Sequence, residues 1–493
     1  MCLPLAAPAY AQTEANTLYF EEIDSFIVDT MTALAIPGVY VGVIENGEIL
    51  YSKGFGVTNA TDPIEITPDT RFPIASVTKT FTATALGLAK QDDVIDWYQP
   101  VSEYLPSWTL PASDGTSTAR IVDLLSHNTS LFAYQGDLLA FMDLTDEEIV
   151  ERTSYLEPWT GEETAAVGGY NNIGFVVAGS ILNATYGIPY PQFIEEHIFE
   201  PLGMTRSSVH MESLTLDEQG VAGHYDDGTG EILSFPIESV GSMDAAGNIV
   251  STGADMLRFM SWFMTGTGHR DDIQLSSETR DAIQTTYRPV DRIIASGSGI
   301  ADPDVAFGLG VKVHTLHNKT FLTKGGDLIG ASSTLYMAPE DKTGVIVLIN
   351  SNGIGTSVIA QGILSLLYTG SIPDDMVEYI TGIIQNEPAL AELLEINDPA
   401  YYQSDDDPYL SISDIAGTYF HPAYGTMIIS GTEEEMTVTH EVGDGILYRI
   451  GDNLFAIALP ALASLGYNIF DIDENGSVTG FSTISLGQFT KVA

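Results

Sequence analysis

The segment "RFPIASVTKTFTATAL", residues 71–86, holds a serine and a lysine at a spacing that can support nucleophilic catalysis. A serine hydroxyl attacks a carbonyl when a base removes its proton, and a lysine amine is such a base when burial or another cation lowers its pKa. Residues three apart share one face of a helix, so Ser76 and Lys79 are expected side by side. Pro73 predicts an extended loop before the first turn, where the helix dipole favours developing negative charge. The spacing predicts an activated serine that needs partners elsewhere in the chain.

Two further segments carry groups that can serve this serine. "GGYNNIGF" places Tyr170 and Asn172 in a loop that can direct a phenol and a carboxamide into a cleft. A phenol near two lysines loses its proton more readily and can act as a base or proton shuttle. "FLTKGGDLIG" ends a predicted strand with Lys324-Gly325-Gly326, where residues without side chains let a substrate lie against the sheet edge and the lysine meets a negative group. Each segment alone is also typical of an ordinary loop or turn.

In their joint order, these residues resemble the serine β-lactamase and penicillin-binding-protein superfamily, specifically its branch of class C β-lactamases, D-peptidases and family VIII esterases. The resemblance covers about residues 17–370. It rests on three motifs: the S-x-x-K of Ser76 and Lys79, the Y-x-N of Tyr170 and Asn172, and Lys324-Gly325-Gly326 where relatives carry K-T-G or H-x-G.

The resemblance implies a mechanism that passes through a covalent acyl-enzyme. Ser76 attacks a carbonyl while Lys79 and Tyr170 take its proton and then pass one to the leaving group. The oxyanion is expected on the backbone N–H groups of Ser76 and Asp327. Water then releases the acid, and neither a metal ion nor another cofactor is required.

The resemblance also implies substrate-binding roles for the remaining motif residues. Asn172 is expected to orient the substrate amide or Lys79, and Lys324 to hold a substrate carboxylate or to lower the pKa of the phenol. Gly325 stands where penicillin-recognising relatives commonly have Thr or Ser, which disfavours efficient β-lactam turnover. Asp327 places an acid beside the expected oxyanion site. A neutral ester or a peptide amide is therefore the favoured substrate.

Two alternatives to an esterase or peptidase remain open at this point. One is a true β-lactamase, and the other is a binding protein that keeps the fold without the chemistry. A Ser-His-Asp hydrolase using His127 is disfavoured, because the chain has no G-x-S-x-G motif, so this histidine is interpreted as structural.

The composition limits the setting and the partners. The chain has 493 residues, of which 44% are apolar, and a formal net charge of −49. Such a charge repels nucleic acid and anionic lipid, so a small molecule or peptide is the expected partner. Cys2 is the single cysteine, which excludes an internal disulfide. The acidity is typical of proteins kept soluble in high salt and also of extracellular proteins, and composition alone does not separate the two.

The order of patterns along the chain predicts two domains. Residues 1–16 resemble a clipped signal peptide and predict secretion or a periplasmic location, and no apolar run is long enough to span a bilayer. Residues 17–370 predict an α/β/α sandwich with an antiparallel sheet and a helical lobe. Residues 371–410 have the composition of an acidic linker. Residues 411–493 predict a small all-β domain that resembles the lipocalin-like barrels of some such hydrolases; the oligomeric state stays open.

Overall fold

The computed structural model contains an α/β domain followed by a β-barrel. It describes residues 14–110, 118–158, 169–226, 231–268, 273–289, 305–378, 408–459, 467–483 and 486–492. The helices are α1 Glu14–Ala33, α2 Thr78–Gln91, α3 Ile121–Leu125, α4 Asp146–Thr153, α5 Ile173–Tyr186, α6 Tyr190–Ile194, α7 Glu200–Leu202, α8 Gly253–Thr265, α9 Ser277–Gln284, α10 Gly355–Thr369 and α11 Ile412–Ile415. The strands of the α/β domain are β1 Gly38–Glu45, β2 Glu48–Gly56, β3 Arg71–Pro73, β4 Gly223–Asp226, β5 Ile232–Phe235, β6 Val250–Thr252, β7 Arg288–Pro289, β8 Ala306–Phe307, β9 Lys312–Leu316, β10 Lys319–Leu328, β11 Ala331–Ala338 and β12 Thr343–Ile349.

One antiparallel sheet of eight strands joins the two ends of the α/β domain, in the order β2-β1-β12-β11-β10-β9-β8-β7. The β1–β2 hairpin turns at Asn46 and Gly47, which have positive φ values of 54° and 86°. Asn-Gly suits such a turn because both residues tolerate left-handed backbone. The pairing of β1 with β12 confirms the expected antiparallel sheet.

Helices cover both faces of this sheet, which is why β1, β11 and β12 are buried along nearly their whole length. On one face, Val39 and Val41 of β1 pack with residues of α1 and α10, among them Ile23 and Ile363. On the other face, α8 lies close to β1 at Gly42, where an added Cβ would come within 3.0 Å of the Leu257 side chain. The α/β/α sandwich is thereby confirmed.

The helical lobe between the two ends of the sheet carries α2, the helix that follows Ser76. The lobe packs α2 against α5, α6 and α9. Within the described residues, no single helix is long and apolar enough to cross a membrane; the bent pair 173–186 and 190–202, at 78° to each other, meets the length and composition criteria only when taken together.

The C-terminal region forms a closed barrel of eight consecutive antiparallel strands. These are β13 Gly417–His421, β14 Gly425–Gly431, β15 Met436–His440, β16 Gly443–Arg449, β17 Leu454–Ala458, β18 Tyr467–Ile472, β19 Val478–Thr483 and β20 Gly487–Lys491. Its up-and-down order is that of lipocalins. The interior is filled by buried aromatic side chains, namely Tyr419, Phe455, Phe470, Phe481 and Phe489. The expected all-β domain is confirmed. Most of the signal-like leader and most of the acidic linker lie outside the described residues.

Candidate active site

Ser76 lies on a short 3-10 turn, Ala75–Val77, directly before α2. Ala75 has a positive φ of 46°, an uncommon conformation for an alanine and one that recurs at functional sites. The lysine three residues on is on the same face, and its Nζ lies 3.0 Å from Ser76 Oγ. Lys79 Nζ also donates to the carbonyl of Ala246 at 2.8 Å. The pair predicted from the S-x-x-K spacing is therefore in hydrogen-bond contact.

The Lys79 side chain is completely buried, at 0% exposure. Burial lowers the pKa of Lys79 from 10.5 to about 7, and the nearby carboxyl of Asp137 opposes that shift. An ammonium group in an apolar environment is disfavoured because it loses its hydration. Near neutral pH, a large share of Lys79 is thus the neutral amine that can accept the proton of Ser76.

Tyr170 brings its phenol to the same place. Its hydroxyl makes a hydrogen bond with Ser76. Lys324 Nζ donates to the same hydroxyl at 3.1 Å. Burial holds the pKa of Tyr170 well above its usual value, and Tyr134 acts in the same direction. The expectation of a lowered phenol pKa is wrong, because desolvation of the phenolate raises the pKa of Tyr170 and outweighs the hydrogen bond with Ser76, which lowers it. The resting phenol keeps its proton and can donate it.

The Lys324-Gly325-Gly326 motif lies inside β10, which continues to Leu328. The expectation that the strand ends at this motif is wrong, because both glycines keep their ladder partners on β11, Thr334 and Ser333. On the other side, β9 begins at Lys312, opposite Thr323, and none of the described strands covers the edge of β10 beyond it. The edge beside the motif is open even though the strand continues.

This open edge faces the turn that carries Ser76. A Cβ added to Gly326 would come within 2.4 Å of the Ile74 carbonyl oxygen and 2.6 Å of Ser76 N. In an antiparallel ladder the N–H groups alternate between the two sides of a strand. The two-residue turn at His317 and Asn318 makes Lys319 and Leu316 the hydrogen-bonded closing pair of the β9–β10 hairpin. Lys319 and every second residue after it, Asp327 included, therefore direct the N–H to the β9 side, which is uncovered beyond Thr323. The two N–H groups expected to bind an oxyanion therefore lie on adjoining segments.

Charged side chains of both signs surround this edge. Burial lowers the pKa of Lys324 well below its usual value, and the charges of Lys79 and Lys312 add to the shift. Lys312 is a residue that the motifs missed; burial lowers its pKa to about 8, and Asp327 opposes the shift. Burial raises the pKa of Asp327, whose carboxylate accepts a hydrogen bond from Ser332 Oγ at 2.6 Å. One signal for Lys312 was present in the sequence, its residue type, because lysines are scarce in this chain.

Asn172 directly precedes α5, and its side chain donates from Nδ2 to Asp137 Oδ2 at 2.7 Å. Asp137 is the second site residue that no motif indicated, since it lies in the unremarkable segment "GDLLAF". Burial raises the pKa of Asp137 to about 7, while Asn172 and Lys79 oppose that shift. Its buried Oδ1 has no hydrogen-bond partner among the residues that the structure describes. Asp137 thus connects Asn172 electrostatically to Lys79.

His127 forms a wall of the site. Its ring lies 4.3 Å from that of Tyr170, and its Nδ1 accepts a hydrogen bond from the Asn171 N–H at 3.1 Å. Burial lowers the pKa of His127 well below its usual value, so the ring is neutral. These contacts agree with a structural histidine. In the described parts of the chain, no group of three or more His, Cys, Asp or Glu side chains is arranged to hold a metal ion.

Comparisons with known proteins agree with this geometry. A curated relative, the unguisins hydrolase of Aspergillus violaceofuscus (strain CBS 115571), is 22% identical over 429 residues, which cover 81% of this chain and 75% of the relative. The solved octameric penicillin-binding protein homologue from Pyrococcus abyssi has a TM-score of 0.60 at 22% identity and covers 96% of this chain and 100% of its own. A class C β-lactamase structure has a TM-score of 0.56 at 21% identity over 73% of this chain and 98% of its own.

The family described as Beta-lactamase matches residues 23–367, a range that contains all three motifs. The likeness to solved structures extends over both domains and shows a common fold. Relatives in this family include hydrolases. The chain therefore belongs to the Beta-lactamase family, with the fold shared by class C β-lactamases and penicillin-binding proteins.

Proposed function

We propose that this protein is a serine hydrolase that forms an acyl-enzyme on Ser76. One observation carries the proposal: the amine of Lys79 lies 3.0 Å from Ser76 Oγ and is completely buried. A buried lysine in contact with a serine is the arrangement by which a weak nucleophile is activated without histidine. Burying a lysine amine lowers the stability of the folded protein, and a scaffold protein without this chemistry would gain nothing in return.

The acylation step uses three side chains. Ser76 Oγ forms a bond to the substrate carbonyl carbon, and its proton moves to the neutral amine of Lys79. The oxyanion accepts hydrogen bonds from the N–H groups of Ser76 and Asp327. As the bond to the leaving group breaks, the phenol of Tyr170 donates its proton to that group and is then reprotonated from the Lys79 ammonium.

Deacylation follows the same route in reverse. A water molecule attacks the acyl carbon and gives a proton to Lys79, and the oxyanion again lies on the two N–H groups. When the intermediate collapses, Ser76 Oγ leaves and takes the proton back from Lys79. Each proton passes between a side chain of this protein and the substrate, the water molecule or another side chain, and the net reaction consumes one water molecule.

Esters and peptide amides, D-configured peptides among them, are the substrates that this site favours. Lys324 contacts the phenol of Tyr170, and burial disfavours its ammonium form, which makes it a weak partner for a substrate carboxylate. Gly325 supplies no hydroxyl for that carboxylate, and Asp327 adds negative charge at the same edge. β-Lactams carry such a carboxylate, so we expect neutral esters and amides to react faster than β-lactams.

Covalent labelling tests this proposal. The intact mass of the protein after treatment with a neutral fluorophosphonate is compared for wild type, Ser76→Ala and Ser180→Ala. Ser180 is a matched control because its hydroxyl bonds to the Val176 carbonyl within α5, away from the turn that carries Ser76. We expect one adduct on residues 71–86 in wild type and in Ser180→Ala, and none in Ser76→Ala. Equal labelling of wild type and Ser76→Ala would overturn the proposal.

A further inference from the structure

A four-residue segment, Tyr134–Asp137, lies alongside the Tyr170–Asn172 motif and is here named the brace. Three of its residues are bonded to that motif, one to each motif residue. The bonds are Tyr134 N–H to the Tyr170 carbonyl at 2.8 Å, Asn171 Nδ2 to the Gln135 carbonyl at 2.7 Å and Asn172 Nδ2 to Asp137 Oδ2 at 2.7 Å. The geometry of the brace thus determines where the phenol and the two carboxamides lie.

The fourth residue of the brace, Gly136, is bonded to the C-terminal barrel instead. Its buried N–H donates to the hydroxyl of Tyr424 at 3.0 Å, across 288 residues of sequence. Gly136 has a φ of 97° and Tyr134 a φ of 60°, so half of the brace is in left-handed backbone. Such a conformation in a non-glycine residue persists when surrounding contacts hold it in place. The barrel supplies one of those contacts.

Tyr424 is itself held rigidly by the barrel. It is completely buried, and its carbonyl accepts a hydrogen bond from His440 Nε2 at 2.7 Å. Its ring lies 4.8 Å from the ring of His421 and is stacked on Phe489 at 6.2 Å. These contacts within the barrel therefore fix the position of the Tyr424 hydroxyl independently of its hydrogen bond with Gly136.

The interface around this contact makes it part of a continuous core. Arg152 of α4 donates to the Ala423 carbonyl at 3.4 Å and lies 3.9 Å from the Glu441 carboxylate. Buried side chains of the α/β domain and of the barrel belong to one hydrophobic cluster. A shared core of this kind opposes independent motion of two domains.

We propose that the barrel completes the active site, and that Tyr424 is a positioning residue for the chemistry of Ser76. Its hydroxyl satisfies the buried Gly136 N–H, holds the brace in its left-handed conformation, and so holds Asp137, with its hydrogen-bond partner Asn172, where its carboxylate acts on Lys79. Without this hydroxyl the Gly136 N–H is an unpaired buried donor, and the brace shifts to relieve it. This inference rests on the proposed acylation of Ser76.

The test compares two tyrosines of the barrel in the full-length protein. Tyr424→Phe removes the hydroxyl that meets the brace, and Tyr419→Phe removes a buried hydroxyl that donates to the Ile415 carbonyl inside the barrel region. Loss of one hydrogen bond changes an equilibrium by about 10-fold. We expect Tyr424→Phe to slow fluorophosphonate labelling of Ser76 by about 10-fold. Tyr419→Phe is expected to lower the melting temperature and leave the labelling rate unchanged.

A double-mutant cycle with Asp137→Ala, which removes the acceptor of the Asn172 hydrogen bond, separates positioning from a general loss of stability. If Tyr424 acts through the brace, its substitution slows labelling less in the Asp137→Ala background than in wild type. Hydrogen exchange gives a readout independent of activity: the Gly136 amide is protected in wild type and exchanges faster in Tyr424→Phe. Fast exchange of this amide in wild type, or equal labelling rates in the two tyrosine variants, would overturn the inference. Absence of Ser76 labelling in wild type would instead overturn the proposed function.

Discussion

Lys79 is the residue on which the proposed chemistry depends most. A lysine with 0% exposure is rare because its ammonium loses hydration on burial. Burial disfavours the ammonium form of Lys79, while the neutral amine keeps a hydrogen-bond contact with Ser76 Oγ at 3.0 Å. The same desolvation that weakens the fold makes the amine a base at neutral pH. Stability and activity are therefore linked at this position.

Lys79→Met tests that link in both directions. Because the base is lost, we expect acylation of Ser76 to fall by about 10²- to 10⁴-fold. The pKa of Lys79 is 10.5 unfolded and about 7 folded, so its burial destabilises the protein below pH 10.5, increasingly down to about pH 7 and fully below that. The gain in free energy of unfolding from Lys79→Met should therefore grow as pH falls through this window. Urea unfolding at several pH values measures it, and a pH-independent difference between variant and wild type would contradict the account.

Asp137→Asn tests the electrostatic connection to Lys79. The Asp137 carboxylate raises the pKa of Lys79, so its removal should lower that pKa further. The rise of the Ser76 labelling rate with pH, which follows deprotonation of Lys79, should then occur at lower pH. The new amide oxygen can still accept the Asn172 hydrogen bond. Asp143→Asn is the control, because Asp143 is exposed and lies in the same stretch of chain. A rise that stays at the same pH, or moves to higher pH, would show that Asp137 does not act on Lys79.

At the scale of elements, the site depends on the contact between the Ser76 turn and β10. Ser333 Oγ of β11 donates to the Ile74 carbonyl at 2.7 Å and ties the sheet to that turn. The backbone of β10 comes so close that Gly326 has no room for a side chain. Glycine is required there for close approach rather than for its flexibility.

Gly326→Ala is expected to disturb the site while the sheet remains. The added Cβ meets backbone atoms of Ile74 and Ser76, which must shift. A displacement of about 1 Å at a catalytic group costs about 10²-fold in rate, and we expect such a loss in labelling. Gly174→Ala is the matched control, because its Cβ meets its nearest atoms at an ordinary 3.7 Å and alanine favours the helix. Equal labelling of the two variants, measured by mass spectrometry, would contradict the proposed close approach.

The elements that sequence patterns predicted are those with one strong local signal. The Asn46-Gly47 turn, the apolar strands and the S-x-x-K spacing each depend on residues close in sequence, and the structure contains all of them. Sequence patterns failed where pairing with a neighbouring strand determines how far a strand extends. Strand β10 continues through two glycines because β11 pairs with them. Asp137 was missed for the same reason, since its role comes from Asn172, which lies 35 residues away in sequence.

At the scale of the whole molecule, the barrel and the α/β domain share one hydrophobic cluster of buried side chains. Sequence patterns predicted both domains and could not predict the contact of Tyr424 with Gly136, because no local rule connects residues 288 apart. The site is also a basic region within a very acidic chain: Lys79, Lys312 and Lys324 lie together in a protein of net charge −49. The arrangement brings three of the chain's few lysine amines, each with a pKa lowered by burial, to the site of the proposed chemistry.

The net charge predicts that salt stabilises the fold. A charge of −49 produces self-repulsion that is strongest in the compact state. Salt screens exposed charges, with a Debye length of about 10 Å at about 0.1 M and about 3 Å at about 1 M. The melting temperature should therefore rise as sodium chloride increases across this range. Potassium chloride at equal ionic strength should give the same rise, and a melting temperature that stays constant or falls would contradict the prediction.

The most direct measurement of the central claim is the pH dependence of the rate at which a neutral fluorophosphonate labels Ser76. Intact mass after rapid quenching follows this rate from about pH 5 to about pH 9. We expect the rate to rise with pH through about 7, the pKa of Lys79, because the amine becomes neutral there. We also expect this rise to disappear in Lys79→Met. A labelling rate that does not rise with pH in this range, or an equal rise in Lys79→Met, would contradict activation of Ser76 by Lys79.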